Sequence, residues 1–509
     1  MDGVVSHSRS TGIDALFQYT GSGVQIFSGS IFYIIIAHLF STTGVGAIAL
    51  FVAIINLFNV IFQFGLGTAS QHFISYNLGI GDYASARLTI YKILGYGFGL
   101  AIAGLIFLLF AAPFIAVIFL HSTSFTFLVQ LLGIVLFGNI MFGILNGTLL
   151  GTQNFRISAL INIIIWISYY FGSVLLAVYL RSLNTIIVGW AIGIFIGVSL
   201  ELFVVLASVR KFNGQGAGIS GPNIFSYSIP ILLSGLIAYG ASSADRFVVS
   251  GILNLQSLGV YNFSLLIASS IGFISVPFNN ILMPKFSEFY AKGMKATISS
   301  MVKVSSTLLS SIYVPAALGV AALSPIILEL LGGANYVGGG VALQIIMFST
   351  ALFVTQNILS QAIASVRLTK TFLYSSAISL MSNIILSLIL IPRFGLPGAA
   401  IGFSSVYLFV FAILWHFAKK NDLASLDLKG LIKIWIASGI MYLIVSIAEI
   451  SFGKLEIELP LYVALGGLVY LFSARILRVF KDEDKALVLS LFPEKYRKVK
   501  GLVSLILLH

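Results

Sequence analysis

The chain has 509 residues, of which 59% are hydrophobic and only 9% charged, and its mean hydropathy is +1.06. A soluble domain carries roughly 25% charged residues, so the composition excludes one of any size and describes an integral membrane protein. The formal net charge is +12, and cysteine is absent, which excludes disulfides, thiolate metal sites and cysteine nucleophiles.

The first twenty residues, MDGVVSHSRSTGIDALFQYT, lack a basic stretch followed by a short apolar core and a cleavage site, so the first span is expected to serve as its own signal. Fourteen stretches approach or exceed the roughly 20 apolar residues that cross a bilayer. They fall at 23–41, 45–67, 88–110, 127–150, 157–180, 184–208, 226–250, 257–281, 303–327, 338–362, 371–391, 396–417, 431–450 and 459–477. With both termini in the cytosol, only Arg181, Arg246, Arg393 and Lys454 lie outside, and the other 24 of the 28 Lys and Arg lie inside. That is the positive-inside pattern, and the opposite orientation would reverse it. The basic surplus therefore reports topology first and attraction to anionic lipid second, and no nucleic-acid partner is expected.

Polar residues inside the spans are few. His38 stands near the outer end of span 1, as an interfacial residue or a relay. In span 2 the run IINLFNVIFQFG (54–65) carries Asn56, Asn59 and Gln63, which share an arc of about 60° on a helix and so form a polar stripe. Span 4 offers Asn139 and Asn146, with Gln153 seven residues on, a spacing that drifts only about 20° per repeat. Its Gly143, Gly147 and Gly151 form a small-xxx-small ladder suited to close helix packing. Span 10 adds Gln356, Asn357 and Gln361. Such amides either link packed helices or wall a wet cavity, where their paired donors and acceptors suit sugar hydroxyls. Ionisable residues at membrane depth are functional candidates by default. Asp245 and Arg246, near the outer end of span 7, are read as a gate or a fixed ion pair, and Glu201 in span 6 and Glu449 in span 13 as proton carriers or interface residues. At the inner ends Arg87, Lys92, Arg156, Lys285, Arg367 and Lys370 serve topology or form a cationic vestibule for phosphate, which guanidinium grips at two points. The tail 486–509 mixes apolar residues with Lys495, Arg497, Lys498 and Lys500, as in a basic interfacial helix or a disordered basic tail.

The two halves repeat. TTGVGAIALF (42–51) matches QSLGVYNFSL (256–265), AAPFIAVIFL (111–120) matches LSPIILELLG (323–332), and GTQNFR (151–156) matches ASVRLTK (364–370). Gly46 to Gly259 is a shift of 213 residues and Pro113 to Pro325 one of 212. Three landmarks at nearly one shift indicate two homologous blocks of six spans, in parallel orientation because six is even. The expected organisation is an amino-terminal lobe over 1–210, a linker near 210–225, a carboxyl-terminal lobe within 211–420, two further spans over 421–480 and a cytosolic basic tail over 481–509. The fold class is thus an all-α polytopic membrane protein of about fourteen spans, two pseudo-symmetric six-helix lobes plus two helices.

Several stretches then carry a family resemblance. SSADRFVVSGILNLQSLGVY (242–261) resembles a seventh helix with a charged pair near its outer end and an LG-x-Y turn. LSPIILELLGGANYVGGGVALQII (323–346) is similar to a ninth-to-tenth connection, NIILSLILIPRFGLPGAAIG (383–402) to an eleventh-to-twelfth one, and FGLGTASQHFISYNLGIGDYASAR (64–87) to a second-to-third loop. In this order they resemble the multidrug/oligosaccharidyl-lipid/polysaccharide (MOP) exporter superfamily, in its prokaryotic polysaccharide and lipid-linked oligosaccharide flippase branch. The resemblance implies a MATE-like, two-lobed, twelve-helix core with two added helices, in a prokaryotic cytoplasmic membrane.

The expected activity is flipping of a polyprenyl-linked glycan from the cytosolic to the outer leaflet by alternating access, without covalent chemistry. No cofactor is expected, and coupling to Na+ or H+ is compatible but not required. The expected partners are the glycolipid and membrane lipid, and a monomer is expected. A cation-coupled multidrug exporter of the same superfamily is the first alternative. Against it, spans 1 to 5 contain no Asp or Glu. A membrane glycan polymerase or ligase is the second, and it would need a large outer loop where these are short.

Overall fold

A computed structural model describes residues 2–210, 212, 216, 218–366, 368, 370–452 and 459–479. Among them every regular element is helical. Twelve helical stretches among them are long and apolar enough to cross a membrane, the interrupted Ala334–Ser365 counted as one, and two shorter apolar stretches, Gly23–Leu39 and Leu255–Ile271, stand at the first and eighth expected spans. The chain divides into two compact units between Gly259 and Val260.

The first unit contains α1 (Asp2–Leu39), α2 (Thr42–Gln63), α3 (Leu66–Gly79), α4 (Tyr83–Leu120), α5 (Thr126–Gly151), α6 (Phe155–Leu180), α7 (Leu183–Val209), α8 (Gly221–Ile252) and the first turn of α9 (Leu255–Ile271). Helix ends follow local chemistry. Ser41 caps α2 by accepting from the Gly44 N–H at 3.3 Å, and Asp82 caps α4 by accepting from the Ser85 N–H at 2.8 Å. Two successive left-handed residues, Phe64 (φ 55°) and Gly65 (φ 71°), end α2 and turn the chain into α3. A Cβ at Gly65 would also come within 3.0 Å of Ile231 on α8, so glycine is required there twice over. Gly46 and Gly259, one repeat apart in sequence, face each other so closely that a Cβ on either would meet the other's nitrogen at about 3 Å.

The second unit holds the rest of α9, then α10 (Val276–Ala291), α11 (Lys295–Ala322), α12 (Ser324–Gly332), α13 (Gly340–Thr350), α14 (Phe353–Ser365), α15 (Lys370–Phe394), α16 (Leu396–Lys420), α17 (Leu428–Phe452) and α18 (Leu459–Ile476). Span 10, expected as one helix over 338–362, is broken at Ala351–Leu352 into α13 and α14. Ser349 and Thr350 turn their hydroxyls back onto the carbonyls of Ile346 (2.7 Å) and Met347 (3.0 Å), and the Leu352 N–H closes a tighter turn onto Ser349. Such back-bonding competes with the helical ladder and bends it. The repeat also appears in packing: Gly189 of α7 presses on Ser173 of α6, and Gly402 of α16, 213 residues later, presses on Ser387 of α15.

Candidate functional site

The site is built where α2 ends. Because Phe64 and Gly65 break the helix, α3 leaves at an angle, and a cavity of about 300 Å³ lies among the last turns of α2 and α5, the first turns of α3 and the first half of α8. Its polar lining is Gln63, Thr68, Gln71 and Asn146. Val60, Leu150, Ile231 and Leu232 supply apolar wall, and Gly65, Gly67, Gly143, Gly147 and Gly235 bring backbone to its surface. The glycine ladder sets the width. A methyl at Gly147 would land on the Gly67 carbonyl, and one at Gly143 on Nε2 of Gln63. The Gln63 amide therefore lies against the bare face of α5.

Asn146 is held from behind. Its Nδ2 donates to Ser158 Oγ on α6 at 3.0 Å and to Glu201 Oε1 on α7 at 2.9 Å. Three helices thus meet at one carboxamide. Glu201 is fully buried, and its Oε2 has no hydrogen-bond partner. On the far side, Pro230 interrupts the hydrogen-bond ladder of α8 near Ile231, and Tyr227 stacks on His72 of α3 with ring centroids 4.7 Å apart and planes 7° from parallel.

The other sequence candidates are placed as follows. Asn56 is exposed, while Asn59 and Asn139 are half-buried outside the cavity lining, and Asn59 Oδ1 is buried without a partner. Gln153 is exposed in a left-handed turn (φ 60°) after α5. In the second unit, Gln356, Asn357 and Gln361 lie on α14. Asn357 Nδ2 approaches Ser275 Oγ and Gln361 Nε2 approaches Asn357 Oδ1, each at 3.5 Å, while Gln356 Oε1 is buried without a partner. Asp245 is buried on α8, and the neighbouring Arg246 donates from Nη1 to Ser243 Oγ at 2.9 Å. His38 is exposed and its Nδ1 lies 2.9 Å from the Ile34 carbonyl of its own helix.

The cationic candidates divide by exposure, Arg87 and Lys92 being half-buried. Arg87 donates to the Phe212 carbonyl at 3.4 Å and sits over the Tyr91 ring, and Lys92 donates to the Ile219 carbonyl at 3.2 Å. Both therefore hold the connection between α7 and α8 against α4. Arg156, Lys285 and Lys370 are exposed. Arg367, Lys454 and the tail 481–509 lie outside the described residues. Thr68, Gln71 and Ser158 join the site without having been singled out from sequence. The first two lie in the quoted 64–87 stretch, where their polarity reads as that of a loop.

Membrane-spanning helices around a polar cavity define a multi-pass membrane transporter. A family model described as polysaccharide biosynthesis protein matches residues 35–339, and the chain belongs to that family. It is 26% identical over 277 residues to the uncharacterized membrane protein MJ1068 of Methanocaldococcus jannaschii, covering 52% of each chain, so it spans about half the length of that relative. It is 23% identical over 389 residues to the "Probable low-salt glycan biosynthesis flippase Agl15" of Haloferax volcanii, covering 75% of this chain and 77% of that one. The fold is similar to that of the lipid II flippase MurJ in an inward closed conformation, with a TM-score of 0.72 at 16% identity over 91% of this chain and 98% of the other. It is also similar to an inward-facing multidrug resistance MATE transporter of the MOP superfamily, at 0.65 and 13% over 78% and 94%. The fold is that of the MOP superfamily.

Proposed function

We propose that the protein flips a lipid-linked glycan from the cytosolic to the outer leaflet by alternating access, without covalent chemistry. The observation that carries this reading is the meeting of Gln63 and Asn146, two carboxamides from different helices, in one polar cavity of a polysaccharide biosynthesis protein. A polyprenyl tail can stay in the bilayer, whereas its head cannot. Each unpaired hydroxyl costs about 1–3 kcal/mol in apolar surroundings, and a phosphate far more. Carboxamide groups that hydrogen-bond to sugar hydroxyls lower that barrier hydroxyl by hydroxyl. Outward movement of each negative charge gains a further 2.3 kcal/mol or so per 100 mV of inside-negative potential. The exposed cations Arg156, Lys285 and Lys370 are the candidates to meet the phosphate at the cytosolic face, and a coupling ion is not required.

The test is movement of a fluorescent prenyl-pyrophosphate disaccharide across proteoliposome membranes. Q63A and N146A are each expected to slow flipping about tenfold, the equivalent of one lost hydrogen bond of about 1.4 kcal/mol, with the protein's melting temperature nearly unchanged for Q63A. Extrusion of a cationic dye with no lipid movement would move the chain to the drug-exporting branch.

A further inference from the structure

Glu201 is a carboxyl at membrane depth with no measurable exposure, and one of its oxygens has no partner. Buried polar groups are hydrogen-bonded as a rule, and an ionisable group inside a bilayer is costly, so a half-satisfied one is not kept for stability alone. Its other oxygen accepts from Asn146 at 2.9 Å. Ser158, equally buried, takes the second N–H of the same amide at 3.0 Å. Neither Glu201 nor Ser158 lines the cavity, and Asn146 does. Both N–H groups of Asn146 are thus spent behind the wall, and the polar atom it has left for the cavity is the acceptor Oδ1.

We infer that Glu201 is a positioning residue: it locks the Asn146 amide with its carbonyl oxygen toward the cavity, so that the cavity selects head groups by the O–H and N–H donors they present. The inference rests on the reading of this cavity as the head-group site. A free carboxamide turns over and serves donors and acceptors alike, whereas a locked one offers an acceptor only. A methyl ether, which accepts and cannot donate, is therefore rejected at Asn146, while a hydroxyl is held.

The experiment uses the full chain in lipid nanodiscs and two fluorescent prenyl-pyrophosphate disaccharides, one with free hydroxyls and one per-O-methylated, with binding read by anisotropy. Wild type is expected to prefer the free sugar about tenfold or more, and E201Q to retain that preference because the glutamine oxygen still accepts from Nδ2. E201L is expected to cut the preference to about twofold, N146L to do the same, and the double variant to go no further. A purely structural Glu201 would change the stability of E201L and leave the preference intact, which overturns the inference, as would additive effects in the double variant. Should E201L not fold, the side-chain amide protons of Asn146 decide the matter in wild type and E201Q. Slow solvent exchange in both supports the lock, and fast exchange in wild type overturns it. If wild type binds neither sugar, the head-group reading itself falls. If it binds the free sugar and E201L discriminates equally well, only the role of Glu201 falls.

Discussion

A methyl group added at Gly143 would land on Nε2 of Gln63, and few substitutions report so directly on the cavity. G143A has to push the glutamine amide off the face of α5 or push α5 away from α2. Overpacking of this kind costs about 1–3 kcal/mol. The expected outcome is a lower melting temperature in detergent together with slower glycolipid flipping. Shortening the glutamine should separate the two effects. Q63A placed in the G143A background is expected to recover the melting temperature, since the clash disappears, while flipping stays slow because one carboxamide is missing. Recovery of both would assign Gln63 to packing alone. The sequence shows both residues, one in the polar stripe of span 2 and one in the small-residue ladder of span 4. It does not show that they touch, because a stripe and a ladder on different helices carry no record of which faces the other. The same holds for Asn146 and Glu201, 55 residues apart and joined only by the packing of α5 on α7.

At the scale of elements, the first two turns of α4 do more than cross the membrane surface. Ser85 Oγ accepts from the Gly218 N–H at 3.3 Å, and Thr89 Oγ1 accepts from the Ile219 N–H at 3.1 Å and from Asn77 at 3.3 Å. With Arg87 and Lys92 on the carbonyls of Phe212 and Ile219, four side chains of α4 hold the backbone that leads into α8. T89A is expected to leave the Ile219 N–H without that partner, at about 1 kcal/mol, and to speed hydrogen exchange at Ile219 about fivefold. Unchanged exchange would show that the hydroxyl contact carries no weight. Asp82 caps the same helix, outside the spans. The Ser85 N–H, and then its hydroxyl, hold the Asp82 carboxyl below its ordinary range. A lowered folded-state value means that the contribution to stability is complete above the ordinary carboxylate range and is lost as pH falls through the lowered one. D82N should therefore flatten the acid side of the stability curve measured by thermal melting between pH 3 and 6, about the range of carboxylate titration. From sequence, Arg87 and Lys92 read as topology or phosphate residues because charge is visible there and backbone carbonyls are not. The break between α13 and α14 was equally hidden, since Ser349 and Thr350 look like ordinary span residues until their hydroxyls turn back on the helix.

For the whole molecule, the spans were legible because each is an apolar run near the thickness of the bilayer, a property of composition that packing cannot override. Orientation is a different matter, resting on where Lys and Arg fall between spans, and it can be tested directly because the chain has no cysteine of its own. Single cysteines at three connections report the side of the membrane. Thr123, exposed between α4 and α5, belongs outside, whereas Ile80, exposed between α3 and α4, and Asn421, just past α16, belong in the cytosol. In intact prokaryotic cells a membrane-impermeant maleimide is expected to label T123C alone, and I80C and N421C only after permeabilisation. The reverse pattern would put the 24 basic residues outside, against the positive-inside rule. It would also invert the proposed direction of transport, because the cavity beside Gln71 and the connection held by Arg87 and Lys92 lie toward the same membrane face as Ile80. Agreement at all three positions fixes that face as cytosolic, the side from which the proposed transport starts.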